Sequence, residues 1–137
     1  MEKSSKTNPF KETRGHHSLE SAADYTELVY DLIKMKGEAR TGEIAQILDV
    51  SHVTAVKSIQ RLQKLGYLKT ARQKPVSLTP KGRSLAILAK KRHKLLVDFL
   101  MAIGVSRKIA EIDAEGAEHH FSKETFNKMQ CFLLSKS

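Results

Sequence analysis

The sequence predicts a mainly α-helical protein that opens with a winged helix-turn-helix and continues into a second helical region. Three observations carry this. Apolar residues recur at helical spacing through most of the chain after residue 18. Two short strand-like pieces, at about residues 67–71 and 76–78, interrupt the helices with RQKP between them. No Asp or Glu occurs over residues 51–97, a stretch that holds 12 of the 24 Lys and Arg residues.

Each element has a local reason. Residues 1–17 are polar, contain Pro9 and Gly15 and show no period, so they read as a mobile tail. LESAADYTELVYDLIKMKG then places Ala22, Tyr25, Leu28, Val29, Leu32 and Ile33 on one helical face, and Gly37 is a stop. TGEIAQILDV is a short second helix. SHVTAVKSIQRLQKLG is a longer third one, with Ser51 as N-cap, Gly66 after its end, and Val53, Val56, Ile59, Leu62 and Leu65 or close neighbours inside. The strand-like pieces form a β-hairpin with a basic tip. LTPKG opens a long helix, with Thr79 as cap and Pro80 in the first helical position, that runs to about Met101 before Gly104. Ser106 caps a helix carrying DAEGAEHH, and Ser122 caps a last helix with Phe126, Met129 and Leu133 on one stripe. The predicted divisions are a tail over 1–17, a winged helix-turn-helix over 18–80 and a helical region over 81–137.

Composition narrows the class. The 137 residues are 40% hydrophobic and 28% charged, which suits a folded domain and not a disordered chain. The single Cys131 excludes an internal disulfide framework and a Cys-rich zinc site, and fits a reducing cytosol. No apolar run has the length of a membrane span, and the first residues lack the apolar core of a signal peptide. The expectation is a soluble cytoplasmic protein with no membrane partner.

The formal net charge of +9 is concentrated in that acid-free block, with nine acids before it and six after. A one-signed surface on a winged helix points to double-stranded DNA. The third helix turns His52, Thr54, Lys57, Ser58 and Arg61 away from its apolar face, next to Ser51 at the cap. Small polar groups near its start can approach base edges, and Lys or Arg further along can reach phosphates. Arg72, Gln73 and Lys74 at the hairpin tip add backbone contacts. A winged helix serving as a protein-interaction module is the alternative, but a protein partner does not call for so one-sided a charge.

DAEGAEHH poses a separate question in a basic chain. On a helix, residues three and four apart share a face, so Glu115, Glu118 and His119 form one cluster. Asp24, Glu27 and Asp31 form another beside the apolar face of the first helix, and His93 follows KKR in the long helix. A catalytic dyad, a divalent-metal site and a solvated helix face are all compatible with these residues. Carboxylates at the edge of an apolar face need compensation, and a cation would compensate several together. Taken singly, His93 also reads as a surface histidine, and Asp24 and Glu27 as charges favouring a helix N-terminus.

DYTELVY, the helix-turn-helix, LTPKG, RHKLLVDFL, IGVS and DAEGAEHHFS, in that order over residues 22–125, resemble the diphtheria toxin repressor family of metal-dependent transcriptional regulators. The match is to its manganese-sensing branch. The resemblance implies that residues 81–137 are a metal-binding and dimerisation region, and that Asp24, Glu27, His93, Glu115, Glu118 and His119 are metal ligands. The iron-sensing branch has Met at the place of Asp24 and Cys at the place of Glu115. Two carboxylates here suit Mn²⁺, which prefers hard oxygen and imidazole donors. Glu115 and Glu118 could bridge two ions, and Fe²⁺ or Zn²⁺ could substitute. The implied function is a homodimeric, Mn²⁺-responsive repressor of manganese-uptake genes on a palindromic operator, with no small-molecule substrate. The alternative from another class is a metal-dependent hydrolase or di-metal carboxylate enzyme. Against it, about half the chain is spent on a winged helix, and no evident nucleophile or base is left once six residues are ligands.

Overall fold

The computed structural model describes residues 9–136, with side chains from Ala22 onward. Six helices and one hairpin follow in order: α1 (Pro9–Lys36), α2 (Thr41–Leu48), α3 (His52–Lys64), β1 (Leu68–Lys69), β2 (Ser77–Leu78), α4 (Pro80–Ala102), α5 (Arg107–Ala114), a 3-10 turn (Ala117–His120) and α6 (Lys123–Ser135). The predicted tail lies partly outside the described residues. From Pro9 the backbone is already helical, ten residues ahead of the Leu19 at which the apolar pattern starts. The chain divides into two compact units. One is Ser21–Leu88; the other takes α1 up to Glu20 and everything from Ala89 onward. Both boundaries of these compact units fall inside helices, α1 and α4.

In the first unit, α1 buries Ala22, Tyr25, Val29 and Leu32 with Ile44 of α2, Ile59 and Leu62 of α3, and Leu68 and Val76 of the hairpin. Ser51 caps α3 by accepting from the Thr54 amide at 3.0 Å. The buried stripe of α3 is Ala55, Ile59 and Leu62, a spacing of four and three. This corrects two expected core positions: Val53 is 62% exposed and Leu65 48%. Val53 stands two residues before Ala55, about 200° away around the helix axis, and Leu65 is already the C-cap. The hairpin is shorter than predicted. Leu68 pairs with Leu78 and Lys69 with Ser77, and Val76 instead bridges back to Ala39, its amide donating to the Ala39 carbonyl at 2.7 Å.

LTPKG fixes the entry to α4. The Thr79 hydroxyl accepts from the Gly82 amide at 3.0 Å and donates toward the carbonyls of Gly66 and Tyr67. Lys81 donates to the Leu65 carbonyl at 2.8 Å and lies 4.5 Å above the Tyr67 ring. A Cβ on Gly82 would stand 2.0 Å from the Tyr67 carbonyl oxygen. Gly82→Ala is therefore expected to force the α3–β1 corner apart and lower stability by about 1–3 kcal/mol, read as a shifted urea midpoint. A midpoint equal to wild type would mean that the corner yields freely.

In the second unit, Leu96 and Val97 of α4 pack with Ala110 and Ala114 of α5 and Phe126 of α6. Ser106 and Ser122 cap α5 and α6, accepting from the Ile109 and Thr125 amides at 3.4 and 3.1 Å. Among the described residues no helix is long and apolar enough to cross a membrane.

Candidate metal centre and nucleic-acid interface

DAEGAEHH is not one helix, and this corrects the placement of Glu115, Glu118 and His119 on a single helical turn. α5 ends at Ala114; Glu115 is its C-cap in an extended conformation, and Gly116 turns the chain at φ 82° before the 3-10 turn begins. A positive φ is open to glycine at no steric penalty. The break separates the three residues. Glu115 stays exposed, whereas Glu118 and His119 are driven inside, 2% and 7% exposed.

A buried carboxylate needs compensation, and Glu118 has two imidazoles. Its Oε2 lies 3.1 Å from Nε2 of His119, and its Oε1 lies 3.3 Å from Nδ1 of His93 on α4. His93 makes a second contact that the sequence did not signal: its Nε2 is 2.9 Å from Oε1 of Glu111 on α5. Burial on its own would depress the His93 imidazole. The hydrogen bonds to Glu111 and Glu118 and the charges of Glu118 and Glu115 outweigh it, so the ring holds its proton above the ordinary histidine range. Burial on its own would raise the Glu118 carboxyl. The hydrogen bond and charge of His119, then the bonds from His93 and from its own backbone, outweigh it and hold the carboxyl below its ordinary range. The arrangement is a buried anion with an imidazole on either side, and a cation can take over their role.

The donor types fit a hard divalent ion. Two imidazoles and a carboxylate meet in one unit, with no thiolate among them. Asp24 and Glu27 lie three apart on α1 in the other unit, both half-buried on the stripe beside Tyr25 and Val29. Of the six expected ligands, the second unit thus brings His93, Glu118 and His119 together. It leaves Glu115 at the surface, close enough to raise His93.

On the DNA-facing unit, His52, Thr54, Lys57 and Arg61 are exposed and Ser58 is half-exposed along α3. Ser51 is committed to the cap, and its hydroxyl also pairs with that of Thr54 at 2.9 Å. Arg72 and Lys74 are exposed at the hairpin tip, where Gln73 sits at φ 61°. A groove of about 670 Å³ runs between α3 and the hairpin, lined by His52, Gln60, Gln63 and Arg72 and closed by Arg40 and Thr41 at the start of α2. Arg40, Gln60 and Gln63 were not among the sequence candidates; their spacing carries no signal until the hairpin folds back beside α3. Val53, expected in the core, instead shows an apolar surface between His52 and Thr54, the kind of group that meets a thymine methyl.

A basic winged helix-turn-helix followed by helices that bury a carboxylate between imidazoles defines a metal-responsive DNA-binding regulator. The chain belongs to the iron-dependent repressor family, the diphtheria toxin repressor family of the sequence resemblance: residues 17–76 match its N-terminal DNA binding domain and residues 79–135 its metal binding and dimerisation domain. It is 42% identical over 123 residues to the transcriptional regulator MntR of Salmonella typhimurium, covering 90% of this chain and 78% of that protein. It is 40% identical over 109 residues to the HTH-type transcriptional regulator MntR of Geobacillus kaustophilus, covering 80% and 77%. Among solved structures, a manganese-dependent transcriptional repressor in complex with manganese superposes with TM-score 0.72 at 28% identity, over 82% of this chain and 52% of that one. The protein SSo2273 of Sulfolobus solfataricus shares the fold with TM-score 0.70 at 18% identity, over 81% and 85%. The protein is thus a metal-binding, DNA-binding transcriptional repressor that forms homodimers, and not an enzyme. The hydrolase and di-metal enzyme alternatives find no support in these relatives.

Proposed function

We propose that the protein is a Mn²⁺-responsive repressor of manganese-uptake genes, acting in the cytoplasm as a metal-loaded homodimer on a palindromic operator. The observation that supports this most directly is the buried Glu118 between His93 and His119. Asp24 and Glu27 of α1 would join them in holding the ion, and Glu115 with Glu118 would hold a second one. When bound, metal supplies the positive charge that lets these carboxylates share one site. The chain's own residues do the rest. Asp24 and Glu27 belong to the unit that carries α3, and His93, Glu118 and His119 to the unit of the dimerisation domain. Holding them together fixes how far apart the two recognition helices of a dimer stand, which a palindrome with half-sites one helical repeat apart requires. With Asp24 and Glu115 where the iron-sensing branch has Met and Cys, the ligand set has no soft sulfur donor, and Fe²⁺ and Zn²⁺ act as weaker activators than Mn²⁺.

The test is an operator-binding titration with Mn²⁺, Fe²⁺, Zn²⁺ and chelator. Tightening by Mn²⁺ at concentrations where the others act less is the expected result; binding that ignores all three ions would overturn the proposal. A companion prediction separates the interface from the sensor. Lys57→Ala and Arg61→Ala are each expected to weaken operator binding by about 1–3 kcal/mol, less where the contact reaches phosphate alone, and to leave Mn²⁺ uptake by the free protein unchanged. Operator affinity equal to wild type at moderate salt would remove both residues from the interface.

A further inference from the structure

The structure assigns Glu111 a positioning role in the metal centre: through His93 Nε2 it fixes which nitrogen of the ring faces Glu118 and is open to an ion. This rests on the proposal that His93 and Glu118 are ligands. A neutral imidazole carries one N–H, and its other nitrogen alone can bind a metal. Glu111 Oε1 is 2.9 Å from Nε2, on the opposite side of the ring from the Nδ1 that points at Glu118. A carboxylate there keeps the proton on Nε2 and leaves Nδ1 unprotonated once the ring is neutral. The same bond sets the rotation of the ring. A carboxylate occupied by Nε2–H cannot also reach an ion held at Nδ1, so Glu111 acts on the metal through His93.

The other contact of Glu111 does not explain its placement. Arg107 lies one helical turn away on α5 and approaches Oε2 only to 3.8 Å, and both side chains are about half exposed or more, at 66% and 48%. Such a surface pair contributes little. The contact to His93 is shorter and joins α5 to α4. It also couples a half-exposed residue, through the His93 ring, to the buried carboxylate of Glu118. Partners of this kind typically change metal affinity by about 10–100-fold when removed.

The experiment compares wild type, Glu111→Ala, Glu111→Gln and, as a control on the centre itself, His119→Ala. Two readouts are used: the His93 tautomer from imidazole ¹⁵N spectra of the metal-free protein in alkaline buffer, and Mn²⁺ affinity from the EPR signal of the free ion. Wild type is expected to show the Nε2–H tautomer. Glu111→Ala should lose that preference and bind Mn²⁺ about 10–100-fold more weakly. Glu111→Gln should keep both within a few-fold, because its amide oxygen still accepts from Nε2. A Glu111→Ala protein with wild-type tautomer and affinity, beside a His119→Ala protein that binds poorly, overturns the role of Glu111 and leaves the centre standing. Equal weakening by Ala and Gln with an unchanged tautomer overturns it too, because the charge and not the hydrogen bond would then matter. Wild-type Mn²⁺ binding by His119→Ala overturns the centre, and the role of Glu111 with it.

Discussion

His119→Ala is expected to give a folded dimer whose operator affinity no longer responds to Mn²⁺. His119 is buried against Glu118, at 3.1 Å, and is not one of the apolar side chains Leu96, Val97, Ala110, Ala114 and Phe126 that form the core of this unit. Its removal takes one donor and one compensating imidazole from the centre while that cluster is kept. A ligand shifts an equilibrium only by its differential affinity for the two states, and coupling of this sort typically amounts to about 1–3 kcal/mol, or about 5–150-fold in affinity. The variant should lose that factor and bind operator as weakly as the metal-free wild type. Reciprocity gives a second reading of the same quantity. Operator DNA should tighten Mn²⁺ binding to wild type by the same factor, and should not do so for the variant. Operator affinity measured with Mn²⁺ and with chelator decides it. A Mn²⁺-dependent gain as large as that of wild type would show that the buried histidine is not part of the sensor. Unchanged circular dichroism and sedimentation are the accompanying controls.

The parts of this design that were legible in the sequence are those set by neighbours along the chain. Ser51, Ser106 and Ser122 announce helix starts because a side-chain oxygen three residues ahead of a free amide is a local device, and all three accept as expected. Thr79 before Pro80 is read the same way. The helix-turn-helix order and the acid-free block are likewise properties of the linear string. What was not legible depends on geometry that the string does not carry. Val53 and Ala55 are both apolar enough for a core, and the tertiary position of α3 chose Ala55. DAEGAEHH has helical spacing on paper, but Gly116 adopts φ 82° and divides it, which is why Glu118 and His119 are buried and Glu115 is not. Glu111 is the clearest case. It reaches His93 across 18 positions of sequence, from one helix to another, and nothing in the spacing of α5 distinguishes it from a solvated acid. Arg40 joins the groove beside α3 for the same reason, through the folding back of the hairpin.

Replacing Ile109 and Ile112 together with Glu is expected to turn the dimer into a monomer and to lose operator binding with it. α5 is apolar on two sides. Ala110 and Ala114 face inward and are fully buried, whereas Ile109 and Ile112, three apart, are 46% and 61% exposed. Ile103, 56% exposed just after α4, adds to the apolar surface of this unit. These side chains lie within the residues that match a dimerisation domain, so the occupant that suits them is a second copy of the chain. In a two-fold dimer each residue appears twice, so the two substitutions change four positions. Burying a whole isoleucine stabilises by about 1.5–3 kcal/mol, and one already half-covered gains roughly half of that. Four such losses come to about 4 kcal/mol, close to a thousand-fold in dimer dissociation, before the repulsion of four carboxylates is added. Sedimentation velocity at micromolar concentration should show a single monomeric species. Because the substituted side chains are exposed in one chain, its thermal unfolding should hold. His93, Glu118 and His119 remain together in the same unit, so part of the Mn²⁺ affinity should persist while DNA recognition fails for want of a second recognition helix. A variant that sediments as a dimer at these concentrations would place the two-fold contact on another face of the unit.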